Sequence, residues 1–94
     1  MSEEHGHNGF DNYSTWLVNL HINNTPQLYH YWRAQAAGAE NVVDFADQLE
    51  AEFEEGAPEI KSKVYADLLT HALSVVNWYE IAKFIFNEVN RGER

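Results

Sequence analysis

Apolar residues recur every three or four positions along most of the chain, a spacing that places their side chains on one face of an α-helix. Five such segments follow one another, and capping residues or glycines separate them. No segment of any length alternates apolar and polar residues as a strand would. The pattern predicts an all-α fold, a compact bundle of about five short helices with short connections between antiparallel neighbours.

The first two predicted helices carry strong start signals. Asn12 or Ser14 can cap a short first helix, because either side chain can accept a hydrogen bond from an amide of the first turn. Thr25 precedes Pro26, and proline at the first helical position loses no hydrogen bond. The second helix is expected to end at Gly38 with a left-handed cap.

The next two helices differ in the width of their apolar faces. The third begins at Asn41 and ends at Gly56, with one apolar stripe and one polar face. The fourth is predicted over residues 59–76, and its two adjacent apolar rows are Ile60, Val64, Leu68 and Ala72, and Tyr65, Leu69 and Leu73. A face this wide favours the fourth helix as the central helix of the bundle.

The fifth helix and the two ends of the chain complete the expected organisation. Asn77 and Glu80 form a capping-box-like pair at the start of the fifth helix, and Gly92 closes it. Its apolar stripe consists of Trp78, Ile81, Ala82, Ile85 and Val89. Residues 1–9 are polar and glycine-containing and are predicted to be a flexible tail, so that residues 10–92 form a single helical domain.

The composition narrows the classes of function. A chain of 94 residues suits one domain, and a hydrophobic content of 45% is enough for a core. The absence of cysteine excludes disulfides, thiolate catalysis and cysteine-based metal sites. No apolar run approaches the roughly 20 residues of a membrane helix, and no secretory signal is present. We therefore expect a cytoplasmic protein that does not bind membranes.

The charge is unbalanced and unevenly placed. Fifteen acidic and six basic residues give a net charge of −9, which disfavours direct binding to nucleic acid and favours a basic partner. Between Ala39 and Ile60 there is no Lys or Arg. This stretch contains eight of the acids, Glu40, Asp44, Asp47, Glu50, Glu52, Glu54, Glu55 and Glu59.

Part of this acid forms a line on the predicted third helix. The carboxylate row, Asp44, Asp47, Glu50 and Glu54, falls opposite the apolar stripe, and Glu55 adjoins it. Successive members are about 4.5 to 6 Å apart along the helix axis, a spacing comparable to that of backbone phosphates. A solvated helix also shows a charged face, but it usually mixes signs, and here no Lys stands four residues away.

A catalytic or metal-binding function has weaker support. His21, His30 and His71 belong to three different predicted helices, and His71 is expected to be buried and hydrogen-bonded beside the apolar rows. His5 and His7 offer two ligands at most. Motifs for an activated nucleophile, a phosphate loop or a metalloprotease are missing from the sequence. We therefore expect no catalytic residues, no cofactor and no metal.

The aromatic residues are dense and have two interpretations. Trp16, Trp32 and Trp78 are expected to pack in the core of a small bundle. Tyr29 lies off the main stripe of its helix and is expected to be exposed. Together with Tyr31 it forms an alternative patch for binding a partner.

Two short motifs resemble those of a known family. Residues 12–16 read N-Y-S-T-W, and residues 77–82 read N-W-Y-E-I-A. The chain resembles a family of small, acidic, uncharacterised proteins carried by prokaryotes, phages and plasmids, over the stretch from Asn12 to about Val89. The resemblance implies an accessory protein of a mobile element and brings no known catalytic residue.

Three hypotheses for function follow. The first is an inhibitor of a host nucleic-acid-binding defence protein, of the anti-CRISPR or anti-restriction type, that acts through a DNA-mimicking acidic helix. Its partner-binding residues are Asp44, Asp47, Glu50, Glu54, Glu55 and Tyr29. The second is a general interaction or scaffold module that uses the aromatic patch. The third is a small metal-binding protein or enzyme that uses His21, His30 and His71.

Overall fold

The computed structural model describes residue 6 and residues 8–92. Its regular secondary structure in this part of the chain is five α-helices and no β-strand, which confirms the expected fold class. The helices are α1 (Tyr13–Asn24), α2 (Pro26–Gly38), α3 (Val42–Gly56), α4 (Lys63–Ser74) and α5 (Trp78–Gly92).

Asparagine side chains cap three of the helices as the sequence predicts. The Asn12 Oδ1 atom accepts a hydrogen bond from the Thr15 amide at 2.8 Å, which fixes the first turn of α1. Asn41 Oδ1 accepts from the Asp44 amide at 2.8 Å at the start of α3. Asn77 Oδ1 accepts from the Glu80 amide at 3.0 Å at the start of α5. Local side-chain chemistry therefore sets the beginnings of these helices.

The boundaries of α2 follow from backbone constraints. Thr25 makes no side-chain capping hydrogen bond, and Pro26 begins the helix at its first position. Gly38 is the last helical residue, but the expected left-handed cap is wrong, because the cap is Ala39 with φ −83° and ψ 147°. Asn41 already caps the next helix, so extended backbone at Ala39 makes the connection.

The centre of the bundle is α5. Ile81, Ala82 and Ile85 are completely buried, and α5 packs against α1, α2 and α3. The predicted apolar stripe of this helix is therefore correct. Around it, the buried core residues from the other helices are Ile22, Trp32, Ala36, Phe45, Ala46 and Leu49.

The expectation that the fourth helix is central is wrong. α4 spans only Lys63–Ser74, shorter than the expected residues 59–76, and none of its residues is buried. Its inward row, Leu69 and Leu73, is half-buried, whereas Leu68 on the other row is exposed. A wide apolar face shows that a helix has much apolar surface. It does not show that the other helices of the chain pack over that surface.

The aromatic core joins three helices. Trp32 and Trp78 are buried as expected, and Trp16 is half-buried. The Phe53 ring lies between the two buried indoles, with centroid distances of 6.0 Å to Trp32 and 5.4 Å to Trp78. Such ring contacts favour fixed relative positions of α2, α3 and α5.

Candidate functional site

The carboxylate row lies on the surface of α3 as its spacing predicts. Asp44, Asp47 and Glu54 are exposed, and Glu50 is half-buried. Glu55, beside the row, is exposed as well. The opposite side of the same helix supplies buried core residues, so the amphipathic phase of α3 is correct.

No Lys or Arg among the described residues forms a salt bridge with the row. Within the described residues, the salt bridges join Arg33 to Glu88 and Lys63 to Asp67, and neither involves α3. A charged face that serves only to solvate a helix commonly contains pairs of opposite sign. In the part of the chain that the structure describes, the negative charge of the row is therefore not offset by a paired cation.

The carboxylates of the row influence one another. Partial desolvation raises the pKa of Glu50 above its ordinary value, and the neighbouring charges of Glu54 and Asp47 raise it further. A raised pKa means that the folded chain disfavours the ionised form of Glu50. A cationic group placed over the row would remove part of this electrostatic cost.

Glu52 has a different role from the other acids of α3. Its carboxylate accepts hydrogen bonds from the Tyr31 hydroxyl at 2.6 Å and from Gln48 Nε2 at 3.0 Å. These bonds lower the pKa of Glu52, and the same carboxylate raises the pKa of Tyr31. Glu52 therefore ties α3 to α2. Its spacing of four residues from Gln48 is the one sequence signal that could have separated it from the acidic surface.

Tyr29 is at the surface, and an intramolecular cation covers one face of its ring. The guanidinium carbon of Arg33 lies 3.7 Å from the ring centroid of Tyr29. Arg33 also donates to Asn23 Oδ1 at 2.8 Å and forms the salt bridge with Glu88. Tyr29 and Tyr31 are thus both engaged within the chain, and the aromatic patch is less available than the sequence suggested.

The two short motifs meet in space. Asn12 Nδ2 donates to the Val75 carbonyl at 2.8 Å, and the Thr15 hydroxyl donates to Asn12 Oδ1 at 2.8 Å. The Asn77 amide then donates to the Thr15 hydroxyl at 2.8 Å. The starts of α1 and α5 are therefore joined by side-chain hydrogen bonds that sequence reasoning did not foresee.

Only half of the expected capping box forms at α5. The Glu80 amide donates to Asn77 Oδ1 at 3.0 Å, as in a capping box. The Glu80 carboxylate instead accepts from the Asp11 amide at 2.8 Å, and Thr15 takes the place of Glu80 as partner of the Asn77 amide. Each of the two N-terminal helix ends therefore has a backbone amide whose hydrogen-bond partner is a side chain of the other end.

A family model covers residues 3–91, a stretch that includes both motifs. The chain belongs to a family of unknown function, DUF7249. No curated protein and no solved structure is significantly similar to the chain. Membership in DUF7249 assigns no activity to the chain.

The three histidines that the structure describes do not assemble into a metal site. His21, His30 and His71 are all exposed, and the described residues contain no group of three His, Cys, Asp or Glu side chains able to hold a metal ion. The expectation that His71 is buried is wrong, because it lies on the outer side of α4. His5 and His7 lie outside the described residues, as does most of the predicted tail, residues 1–9.

Two apolar grooves border α4, and sequence reasoning missed both. The larger has a volume of about 430 Å³ and lies between α2, the end of α3 and α4. Its apolar side chains include Leu28, Trp32, Phe53, Leu69 and Leu73. The smaller, of about 320 Å³, includes Glu54, Ile60, Leu73 and Ser74 in its lining. The two adjacent apolar rows of α4 are the feature of the sequence that could have indicated these grooves.

None of the described helices combines the length and apolar character required to cross a membrane.

Proposed function

We propose that the chain is a binding protein whose carboxylate row on α3 docks against the basic, nucleic-acid-binding surface of another protein and blocks it. The partner is a host defence protein, a CRISPR effector or a restriction enzyme. The supporting observation is that no Lys or Arg among the described residues pairs with the row.

The geometry of the row suits such a surface. A line of carboxylates about 4.5 to 6 Å apart along a helix presents charge at intervals similar to those of a nucleic-acid backbone. Glu50 adds a specific contribution, since its ionisation is opposed by neighbouring charges in the free chain. Lys and Arg side chains of a partner relieve that repulsion, and part of the binding free energy comes from this relief.

The proposal includes the origin and location of the protein. The resemblance of the two motifs to proteins of phages and plasmids supports a mobile-element accessory protein that works in the cytoplasm of the host. The chain acts by occupying a surface and not by catalysis. It neither contacts nucleic acid directly nor binds a membrane, because its charge has the wrong sign for phosphate surfaces.

The two alternative functions have less support. An interaction module centred on Tyr29 and Tyr31 would have to release the Arg33 stack and the hydrogen bond to Glu52. A metal-binding protein or enzyme built on His21 and its two companions lacks any supporting cluster in the described part of the chain.

A plaque assay tests the biological side of the proposal. Bacterial strains, each carrying one CRISPR or restriction system, are challenged with a targeted phage while they express the chain. We expect restored plaque formation with at least one system. The row variant, Asp44→Asn, Asp47→Asn, Glu50→Gln and Glu54→Gln, is expected to lose this effect.

The matched control neutralises the same number of acids at sequence positions outside α3. Its substitutions are Glu3→Gln, Glu4→Gln, Asp67→Asn and Glu93→Gln. This control is expected to restore plaques as well as the wild-type chain does. Equal loss in both variants would show that net charge alone matters, and plaques restored by neither the wild type nor the control would contradict the proposal.

A further inference from the structure

The larger groove beside α4 has the size and lining of a small-molecule site. Its volume of about 430 Å³ falls within the range of about 300 to 1,000 Å³ that is typical of ligand pockets. Its wall is mainly apolar and aromatic, and the side chains come from three helices: Leu28 and Trp32 of α2, Phe53 of α3, and Leu69 and Leu73 of α4. A wall of this composition favours an occupant with an apolar body.

A single charged side chain lines the larger groove. Among the described residues of the lining, Glu52 is the only acid, and there is no Lys or Arg. The Tyr31 hydroxyl, also in the lining, donates to Glu52 Oε1 at 2.6 Å. One carboxylate in a largely apolar lining provides a place for one positive charge.

Glu52 retains both its charge and part of its hydrogen-bonding capacity. The hydrogen bonds from Tyr31 and Gln48 lower the pKa of Glu52, so the carboxylate is ionised at neutral pH. An ionised carboxylate can accept about four hydrogen bonds, and these two partners occupy one position on each oxygen. Neither of the described salt bridges includes Glu52. The carboxylate can therefore accept a further hydrogen bond from a cation in the groove.

We propose that the larger groove binds a small organic amine, whose ammonium group pairs with Glu52 and whose aromatic or alkyl body lies along Trp32 and Phe53. The rings of Trp32 and Phe53 are nearly parallel, with 17° between their planes and 6.0 Å between their centroids. Aromatic rings attract cations as well as apolar groups. The net charge of −9 also attracts cations to the chain and repels anionic ligands.

The amine site is separate from the surface of the proposed function. Among the described residues, no member of the carboxylate row lines the larger groove. An amine site can therefore be present whether or not the row binds a partner protein. Failure of one proposal leaves the other intact.

Titration of the full chain with three matched probes, followed by two-dimensional NMR, tests the amine site. The probes are phenethylamine, phenethyl alcohol and phenylpropionate, which at neutral pH join the same aromatic body to a positive, a neutral and a negative head group. Phenethylamine is expected to bind at least about threefold more tightly than phenethyl alcohol, and phenylpropionate more weakly than either. The shifted signals are expected to include the Trp32 indole. Equal affinities of the amine and the alcohol, or shifts confined to other parts of the chain, would overturn the proposal.

Glu52→Gln separates charge from shape at the head-group end. The variant keeps an oxygen that accepts from Tyr31, and the preference for phenethylamine over phenethyl alcohol is expected to disappear. Glu55→Gln neutralises an exposed acid of α3 outside the lining, and this matched control is expected to keep the preference. Helical circular dichroism checks that both variants fold. A preference that survives Glu52→Gln, or that both variants lose equally, would show that Glu52 does not hold the ammonium group.

Two neighbouring leucines of α4 test where the body of the amine lies. Leu69 lines the larger groove, whereas Leu68 is 60% exposed and lies outside the lining. Leu69→Ser is expected to weaken the binding of phenethylamine and phenethyl alcohol alike, by about threefold or more. Leu68→Ser is expected to leave both affinities unchanged. Similar losses in the two variants, or none in either, would rule out the larger groove as the site.

Discussion

The backbone amide of Asn77 donates a hydrogen bond to the Thr15 hydroxyl at 2.8 Å, although 62 residues separate them in the sequence. The same hydroxyl donates to Asn12, whose amide group reaches the Val75 carbonyl. The first turn of α1 therefore supplies hydrogen-bond partners to the segment that leads into α5. This arrangement explains the asparagine and threonine of the two motifs by fold stability, without assigning them a binding role.

Replacing Thr15 by valine keeps the shape of the side chain and removes the hydroxyl. Because Thr15 is completely buried, the Asn77 amide and the Asn12 carboxamide each lose a partner that water cannot replace. We expect the free energy of unfolding, measured by urea denaturation, to fall by about 1 to 3 kcal/mol. Thr70→Val on the exposed side of α4 is the control, with an expected change within about 0.5 kcal/mol. Similar losses at both positions would contradict the role of the Thr15 hydroxyl.

The central position of α5 predicts a large difference between two truncations. Ile81→Ala removes completely buried methyl groups and is expected to cost about 2 to 5 kcal/mol of unfolding free energy. Leu68→Ala removes exposed methyl groups and is expected to cost under about 1 kcal/mol. Urea denaturation measures both. A larger cost at Leu68 would mean that α4 packs more tightly than its exposure indicates.

The loose attachment of α4 is expected to appear in amide hydrogen exchange. Helices with little buried surface open with a smaller free energy than the global unfolding free energy. Amides of α4 are therefore expected to exchange faster than those of α5 in the monomeric chain. Equal protection of α4 and α5 in dilute solution would show that α4 belongs to the cooperative core.

The beginnings of α1, α3 and α5 could be predicted because capping is local. Asn12, Asn41 and Asn77 each act on an amide three residues away, so the signal and its target lie together in the sequence. The buried apolar stripe of α5 could also be predicted from the sequence, since the period of apolar residues sets which face of a helix is buried. The surface position of the carboxylate row followed from the same period.

The position of α4 could not be predicted because it depends on which helices are available as neighbours. Its sequence shows two apolar rows, yet Val64 and Leu68 of one row and Tyr65 of the other remain exposed. The role of Glu52 could not be predicted for a similar reason, since its partner Tyr31 comes from another helix. The roles of Thr15 and Glu80 likewise depend on contacts across more than 60 residues.

The shifted carboxyl groups of α3 predict opposite effects of pH. The folded chain raises the pKa of Glu50 above its ordinary value of 4.5, so Glu50 stabilises the fold below that value and this contribution is lost as the pH rises through the raised pKa. The pKa of Glu52 is lowered, so its contribution is present above 4.5 and is lost as the pH falls through the lowered pKa. Added salt is expected to reduce only the part of the Glu50 effect that comes from the charges of Glu54 and Asp47, because hydrogen bonds and not neighbouring charges lower the pKa of Glu52.

Two substitutions separate these contributions. Glu50→Gln is expected to remove the decline of unfolding free energy just above pH 4.5, and Glu52→Gln is expected to remove the loss of stability below pH 4.5. Urea denaturation across this pH range measures both slopes. Slopes that change in the same direction in the two variants would contradict the assignment.

The measurement that tests the central claim most directly is the displacement of labelled DNA from purified CRISPR effectors and restriction enzymes, followed by fluorescence anisotropy. We expect the wild-type chain to displace DNA from at least one of these proteins, with an affinity that decreases as salt rises. The row variant is expected to fail, and the control variant of equal net charge is expected to compete normally. Displacement that survives neutralisation of Asp44, Asp47, Glu50 and Glu54, or no displacement from any protein in the set, would contradict the role of the α3 face.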